Sequence, residues 1–148
     1  MTETDDIYQT DLLRLAAEAS GAGRLADADA SVTADNPLCG DRVTIDIKFA
    51  GGAVAALGHE VKACVLCQAA ASVIGRRAIG ADPAKLKETA AAVARLLKPD
   101  GQRTEASNWP ELAVFQPVAG HRSRHACVLL PFRALTQALD LVVSKTAS

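Results

Sequence analysis

Residues 42–61 read Arg42-Val43-Thr44-Ile45-Asp46-Ile47-Lys48-Phe49, then Ala50-Gly51-Gly52-Ala53, then Val54-Ala55-Ala56-Leu57-Gly58-His59-Glu60-Val61. Val43, Ile45, Ile47 and Phe49 alternate with Arg42, Thr44, Asp46 and Lys48, the period-two signature of a half-buried strand. Gly51-Gly52 is a turn signal, so Val54–Val61 returns as the antiparallel partner. Upstream, Ala30–Thr33 predicts a short third strand. Before it, Ile7, Leu12, Leu15, Ala16 and Ala19 form an apolar stripe on a helix over Asp6–Ser20, which Gly21 and Gly23 end. Downstream the period changes. Val65–Ile79 reads as a helix closed by Gly80, and Asp82-Pro83 caps and opens a second, reaching Leu97. Lys98–Asn108 is a polar loop, Pro110–Phe115 a short helical piece and Pro117–His125 an irregular basic stretch. Val128–Val143 is the last helix, with Pro131 tolerated in its first turn. The predicted fold class is α+β, a small antiparallel three-stranded sheet with helices packed on one face.

The 148 residues are 49% hydrophobic and 22% charged, the balance of a folded chain, and the length suits one domain over 1–148. Sixteen basic against seventeen acidic residues give a net charge of −1, where a nucleic-acid-binding domain needs a basic excess. No uninterrupted apolar run of about 18 residues exists to cross a membrane. The start, Met1-Thr2-Glu3-Thr4-Asp5-Asp6, lacks the basic and apolar regions of a signal peptide, so a cytoplasmic location is expected.

In a reducing compartment the four cysteines Cys39, Cys64, Cys67 and Cys127 point to metal or thiol chemistry rather than disulfides. Cys39 lies in the turn Asn36–Asp41, Cys64 at the strand-to-helix junction and Cys127 at the expected start of the last helix. All three fall at element ends, as ligands on a rigid frame do. The positive end of a helix dipole would favour the thiolate at Cys64 and at Cys127. Asp41 could add an oxygen ligand, or act only as a turn cap. Cys67, one helical turn after Cys64, faces the same side. It could replace Asp41 as ligand, pair with Cys64 in thiol–disulfide exchange, or simply fill core space.

Asn36-Pro37-Leu38-Cys39-Gly40-Asp41 resembles the NPxCGD signature of the U-type iron–sulfur cluster scaffold proteins. Arg124-His-Ala-Cys127-Val-Leu-Leu130-Pro131-Phe132-Arg-Ala134-Leu135 is similar to that family's third cysteine motif, and Cys64 falls at its second cysteine. The 63 residues from Cys64 to Cys127 and Ala126 in place of a histidine resemble the SufU-like subtype, whose extra loop would be Lys98–Trp109. Cys67 stands where the family has serine or another small residue. Val61-Lys62-Ala63-Cys64 replaces the glycine-rich approach usual there.

This resemblance implies a SufE/NifU-like fold and one zinc ion, or an iron–sulfur cluster, bound through Cys39, Asp41, Cys64 and Cys127. It implies sulfur transfer from a cysteine desulfurase of the SufS or IscS type, with Cys127 accepting the sulfur beside Arg124, and delivery to downstream cluster acceptor proteins. A thiol–disulfide oxidoreductase using Cys64 and Cys67 and a structural zinc protein are the alternatives. The basic run His121–His125 suits an acidic protein partner better than nucleic acid. His59, His121 and His125 are not expected as ligands, and Trp109 reads as a packing residue.

Overall fold

A computed structural model describes residues 3–37, 40–98 and 109–147. Leu38 and Cys39 lie outside the described residues, as do 99–108, most of the expected polar loop and of the subtype's extra loop. The element order is α1 (Glu3–Glu18), β1 (Ala30–Asn36), β2 (Asp41–Ala50), β3 (Ala53–Lys62), α2 (Val65–Arg77), α3 (Pro83–Leu96), a 3-10 helix (Pro110–Gly120) and α4 (Arg122–Ala147). The strands form an antiparallel sheet in the order β1-β2-β3 with helices packed on it, as the α+β expectation had it.

Register explains the core. Ala30, Val32 and Ala34 of β1 pair with Ile47, Ile45 and Val43 of β2. Those in turn pair with Leu57, His59 and Val61 of β3. Pairing partners share a face, so these nine side chains form the surface on which the helices lie. Val43, Ile45 and Ile47 are fully buried. Ala30 and Ala34 are small, which lets α4 approach β1 closely. Leu130, Phe132, Leu135, Ala138 and Leu139 of α4 complete this core. Residues 122–143 form a helix long and apolar enough to span a bilayer, but much of its apolar surface is used inside the fold.

The polar face of β2 departs from simple alternation, because Thr44 and Asp46 are buried too. The segment after α1 crosses this face. Leu25 donates its N–H to Asp46 Oδ2 at 3.0 Å, and Arg24 Nε reaches the same oxygen at 2.7 Å. Gly58 lies opposite Asp46, and a side chain there would strike the Gly23 carbonyl, so the crossing requires glycine. Although burial pushes its pKa upward, the bonds from Arg24, Ser31 and the Leu25 N–H hold the Asp46 carboxyl below the usual aspartate range. The carboxylate thus replaces its lost hydration with fixed donors.

Several element ends differ from expectation. β1 extends to Asn36 rather than stopping at Thr33. α1 ends at Glu18 and α2 at Arg77, each two residues early. Asp82 does cap α3, accepting from the Lys85 N–H at 2.8 Å, with Pro83 in the first turn. The larger difference is near the C-terminus. The 3-10 helix continues through Pro117 to Gly120, and α4 begins at Arg122, six residues before Val128. Pro131 therefore sits in the helix interior, not in its first turn.

Candidate metal and thiol centre

The hairpin register builds one side of the site. Arg42 pairs with Lys62, which puts Asp41, one residue earlier, beside the β3–α2 junction. Odd-numbered residues of β2 face the helices, so Asp41 turns under α2 and is buried. Gly40, at φ 74°, supplies the left-handed residue before it, and its N–H closes the turn onto the Asn36 carbonyl at 2.8 Å. Cys64 occupies the N-cap of α2 but makes no side-chain cap bond there. Asp41 supplies one instead: its Oδ1 accepts from the Cys64 N–H at 3.3 Å. Capping and ligand roles for Asp41 are therefore compatible.

Cys67, fully buried in the first turn of α2, brings its Sγ to 3.8 Å from Asp41 Oδ2. Ligand atoms of Asp41, Cys64 and Cys67 all lie within 4.8 Å of one another. Two zinc–sulfur bonds of about 2.3 Å at a tetrahedral angle separate the sulfurs by roughly 3.8 Å. The cluster thus has the dimensions of a site for one ion. Cys127 approaches from α4, near enough for Cys64 and Asp41 to act on its thiol, but it is not one of the three groups that lie within 4.8 Å of one another. Cys39 lies outside the described residues, though its neighbours Pro37 and Gly40, with Asp41, line an open depression beside the centre.

Cys127 requires a correction. It stands at the sixth residue of α4, in the second turn, where the helix N-terminal field no longer favours the thiolate. It is 4% exposed. Burial pushes its thiol pKa up, and the nearby Cys64 and Asp41 add to the rise. The Cys67 thiol is pushed up in the same way, first by burial and then by the charges of Cys64, Asp41 and Cys127. The Cys67 and Cys127 thiols, crowded with Cys64 and Asp41 into one buried volume, favour keeping their protons. A soft divalent cation relieves that crowding, so the donor set fits zinc or iron.

Arg124 is exposed one turn before Cys127, and no ion pair involves it among the described residues. His125 bonds through Nε2 to the Val118 and Ala119 carbonyls at 3.0 and 3.1 Å, joining the 3-10 helix to α4. The His59 Nε2 bonds to the Ser20 carbonyl at 2.7 Å. Trp109 is buried against Phe132, ring centroids 6.4 Å apart. The sequence reading missed one bond, from Cys67 Sγ to the Cys127 carbonyl at 2.8 Å. The signal for it was present in Pro131, four residues after Cys127.

Fold and site together define an α+β domain carrying a buried thiol–carboxylate cluster where strand ends meet helices. Residues 7–128 match the model of the NifU-like N-terminal domain. The chain belongs to that family, the U-type iron–sulfur cluster assembly scaffolds. The NifU-like protein (N-terminal) of Brucella abortus is 37% identical, with TM-score 0.89 over 97% of this chain and 99% of that one. The iron–sulfur cluster assembly scaffold protein IscU of Thermotoga maritima is 24% identical over 92% of this chain and 94% of its own length. A protein of Fervidobacterium islandicum, described as a scaffold for the SUF system, shares the fold at TM-score 0.82 and 23% identity over 92% of this chain and 98% of that chain.

Proposed function

We propose that this chain is a scaffold and sulfur acceptor that receives persulfide sulfur from a cysteine desulfurase at a zinc or iron site. The observation that carries the reading is the meeting of Asp41 and Cys64, whose ligand atoms lie within 4.8 Å of each other at the β3–α2 junction, with Cys127 brought up beside them from α4. The ligands assigned are Cys39, Asp41, Cys64 and Cys127. Zinc, when bound, holds its cysteine ligands as thiolates despite their burial.

Cys127 is the sulfur acceptor in this reading. Its thiolate attacks the outer sulfur of the desulfurase persulfide. A new S–S bond forms as the donor's S–S bond breaks, and the donor cysteine leaves as thiolate, so no outside oxidant is needed. Arg124, exposed on the preceding turn, offers positive charge to the incoming anionic sulfur, and Arg122 extends that surface toward an acidic partner. Passage of sulfur or a cluster to downstream acceptor proteins completes the role. Thiol–disulfide exchange through Cys64 and Cys67 is disfavoured, because it leaves Asp41 and Cys127, which share their buried volume, without a role.

The test combines metal analysis of anaerobically purified protein with incubation beside a cysteine desulfurase and cysteine. Mass spectrometry should find one zinc or iron per chain and a one-sulfur mass increase on Cys127, abolished in Cys127→Ser. Protein without bound metal, or sulfur retained by Cys127→Ser and lost from Cys67→Ser, overturns the assignment.

A further inference from the structure

In an α-helix the N–H of residue 131 would bond to the carbonyl of residue 127, but Pro131 has no N–H. The Cys127 carbonyl thus loses its helical donor in the interior of α4. Its surroundings are dry: Cys127, Val128, Leu130 and Cys67 are all buried. A buried carbonyl without a donor is destabilising, and proteins almost always supply a partner. Here the partner comes from another helix. Cys67 Sγ, sixty residues earlier on α2, lies 2.8 Å from this carbonyl oxygen.

We propose that Cys67 is a positioning residue rather than a metal ligand: its S–H replaces the hydrogen bond removed by Pro131 and thereby fixes Cys127 against Cys64 and Asp41. The bond ties the first turn of α2 to the second turn of α4, the two helices that carry the centre's thiols. A thiol is the apt donor. It spans the gap without bringing strongly hydrated oxygen into an apolar layer formed by Val128, Leu130 and Ala70. Cys67 and Pro131 form a matched pair, in which either residue alone would be unfavourable. The metal role of the remaining residues rests on the function proposed above, while the pairing does not.

A double-mutant cycle tests the pairing. Cys67→Ala should raise the unfolding equilibrium constant by about tenfold, which is ~1.4 kcal/mol. Pro131→Ala restores the helical donor, so in that background the same substitution should cost at least about threefold less. Cys67→Ser, which keeps a donor but buries a hydroxyl, should lose less stability than Cys67→Ala. Equal effects of Cys67→Ala in the two backgrounds overturn the pairing. Cobalt(II) titration then separates positioning from ligation. Wild type and Cys67→Ala should show the same sulfur-to-cobalt charge-transfer intensity per bound ion, with weaker binding in the variant. Loss of one thiolate's share of that intensity makes Cys67 a ligand and refutes the proposal. Wild type that takes up no cobalt overturns the metal site proposed above, and the stability cycle still decides the pairing.

Discussion

Gly75 lies inside α2, where replacing glycine by alanine normally stabilises a helix by about 1 kcal/mol. The structure reverses that sign. A Cβ built at Gly75 would press on the Ser20 carbonyl oxygen, 2.6 Å from its carbonyl carbon and 3.0 Å from Gly21 Cα. Ordinary carbon–carbon contacts are about 3.5–4.0 Å, so the backbone of the α1–β1 connection would have to retreat by roughly 1 Å. Overpacking of this kind costs about 1–3 kcal/mol. Retreat also pulls the Ser20 carbonyl from His59 and the Ser20 N–H from the Ser72 hydroxyl. Losing the buried His59 bond adds about 1–3 kcal/mol. After subtracting the helix gain, Gly75→Ala should lose about 1–5 kcal/mol, roughly 3–20 °C in Tm. Gly120→Ala is the control: nothing lies within 4 Å of its Cβ, so the change should stay within about 1 kcal/mol of zero. Urea unfolding followed by circular dichroism measures both. A Gly75→Ala protein as stable as wild type, or more so, refutes the close approach of α2 to residues 20–21.

The His59 ring is buried, which pushes its pKa below the ordinary 6.5, while its bond to Ser20 opposes the shift in part. The unfolded chain therefore takes up the proton first. This contribution to stability is present above about pH 6.5 and lost as pH falls toward the folded value. Unfolding free energy measured from pH 7 to 5 should decline, and His59→Gln should flatten that slope; an unchanged slope assigns it elsewhere. Asp46→Ala removes the acceptor shared by Arg24, Ser31 and Leu25, and should cost about 2–4 kcal/mol in chemical denaturation. Arg24 is half-exposed and can rehydrate, so a value near the lower end is expected. Zinc at a hundredfold excess over Kd should raise stability by about 2.7 kcal/mol. Asp41→Ala or Cys64→Ser should abolish most of that Tm increase, and an undiminished increase in both places the ion elsewhere.

The hairpin and the α2 cysteines were legible because their signals are local. Alternation over 42–49 identifies the face of β2, and extending it by one residue places Asp41 under the helices. The start of α4 was not legible for the same reason. Pro131 read as a first-turn residue because, within its own segment, proline in a helix interior is unfavourable. Its compensation comes from Cys67, a contact that no window around residue 131 contains. Asp46 shows the same limit: it reads as a solvent-facing carboxylate until the Arg24–Leu25 segment, far from it in sequence, is laid across it. Cys39, central to the resemblance, lies outside the described residues.

Because the centre draws Asp41 and Cys64 from the middle of the chain and Cys127 from α4, its parts leave the ribosome at different times. The hairpin and α2, which bring Asp41, Cys64 and Cys67 together in the folded chain, emerge first. α4 comes later, yet it covers β1, β2, α2 and α3. Until α4 emerges, the helix face of the sheet lacks its cover, and neither the core nor the centre can close. Domains fold largely as units during synthesis, so closure of α4 over the sheet is the step that seals both the core and the centre. Core and centre therefore stand or fall together: a change that loosens α4 from the sheet also opens the side of the centre that Cys127 closes.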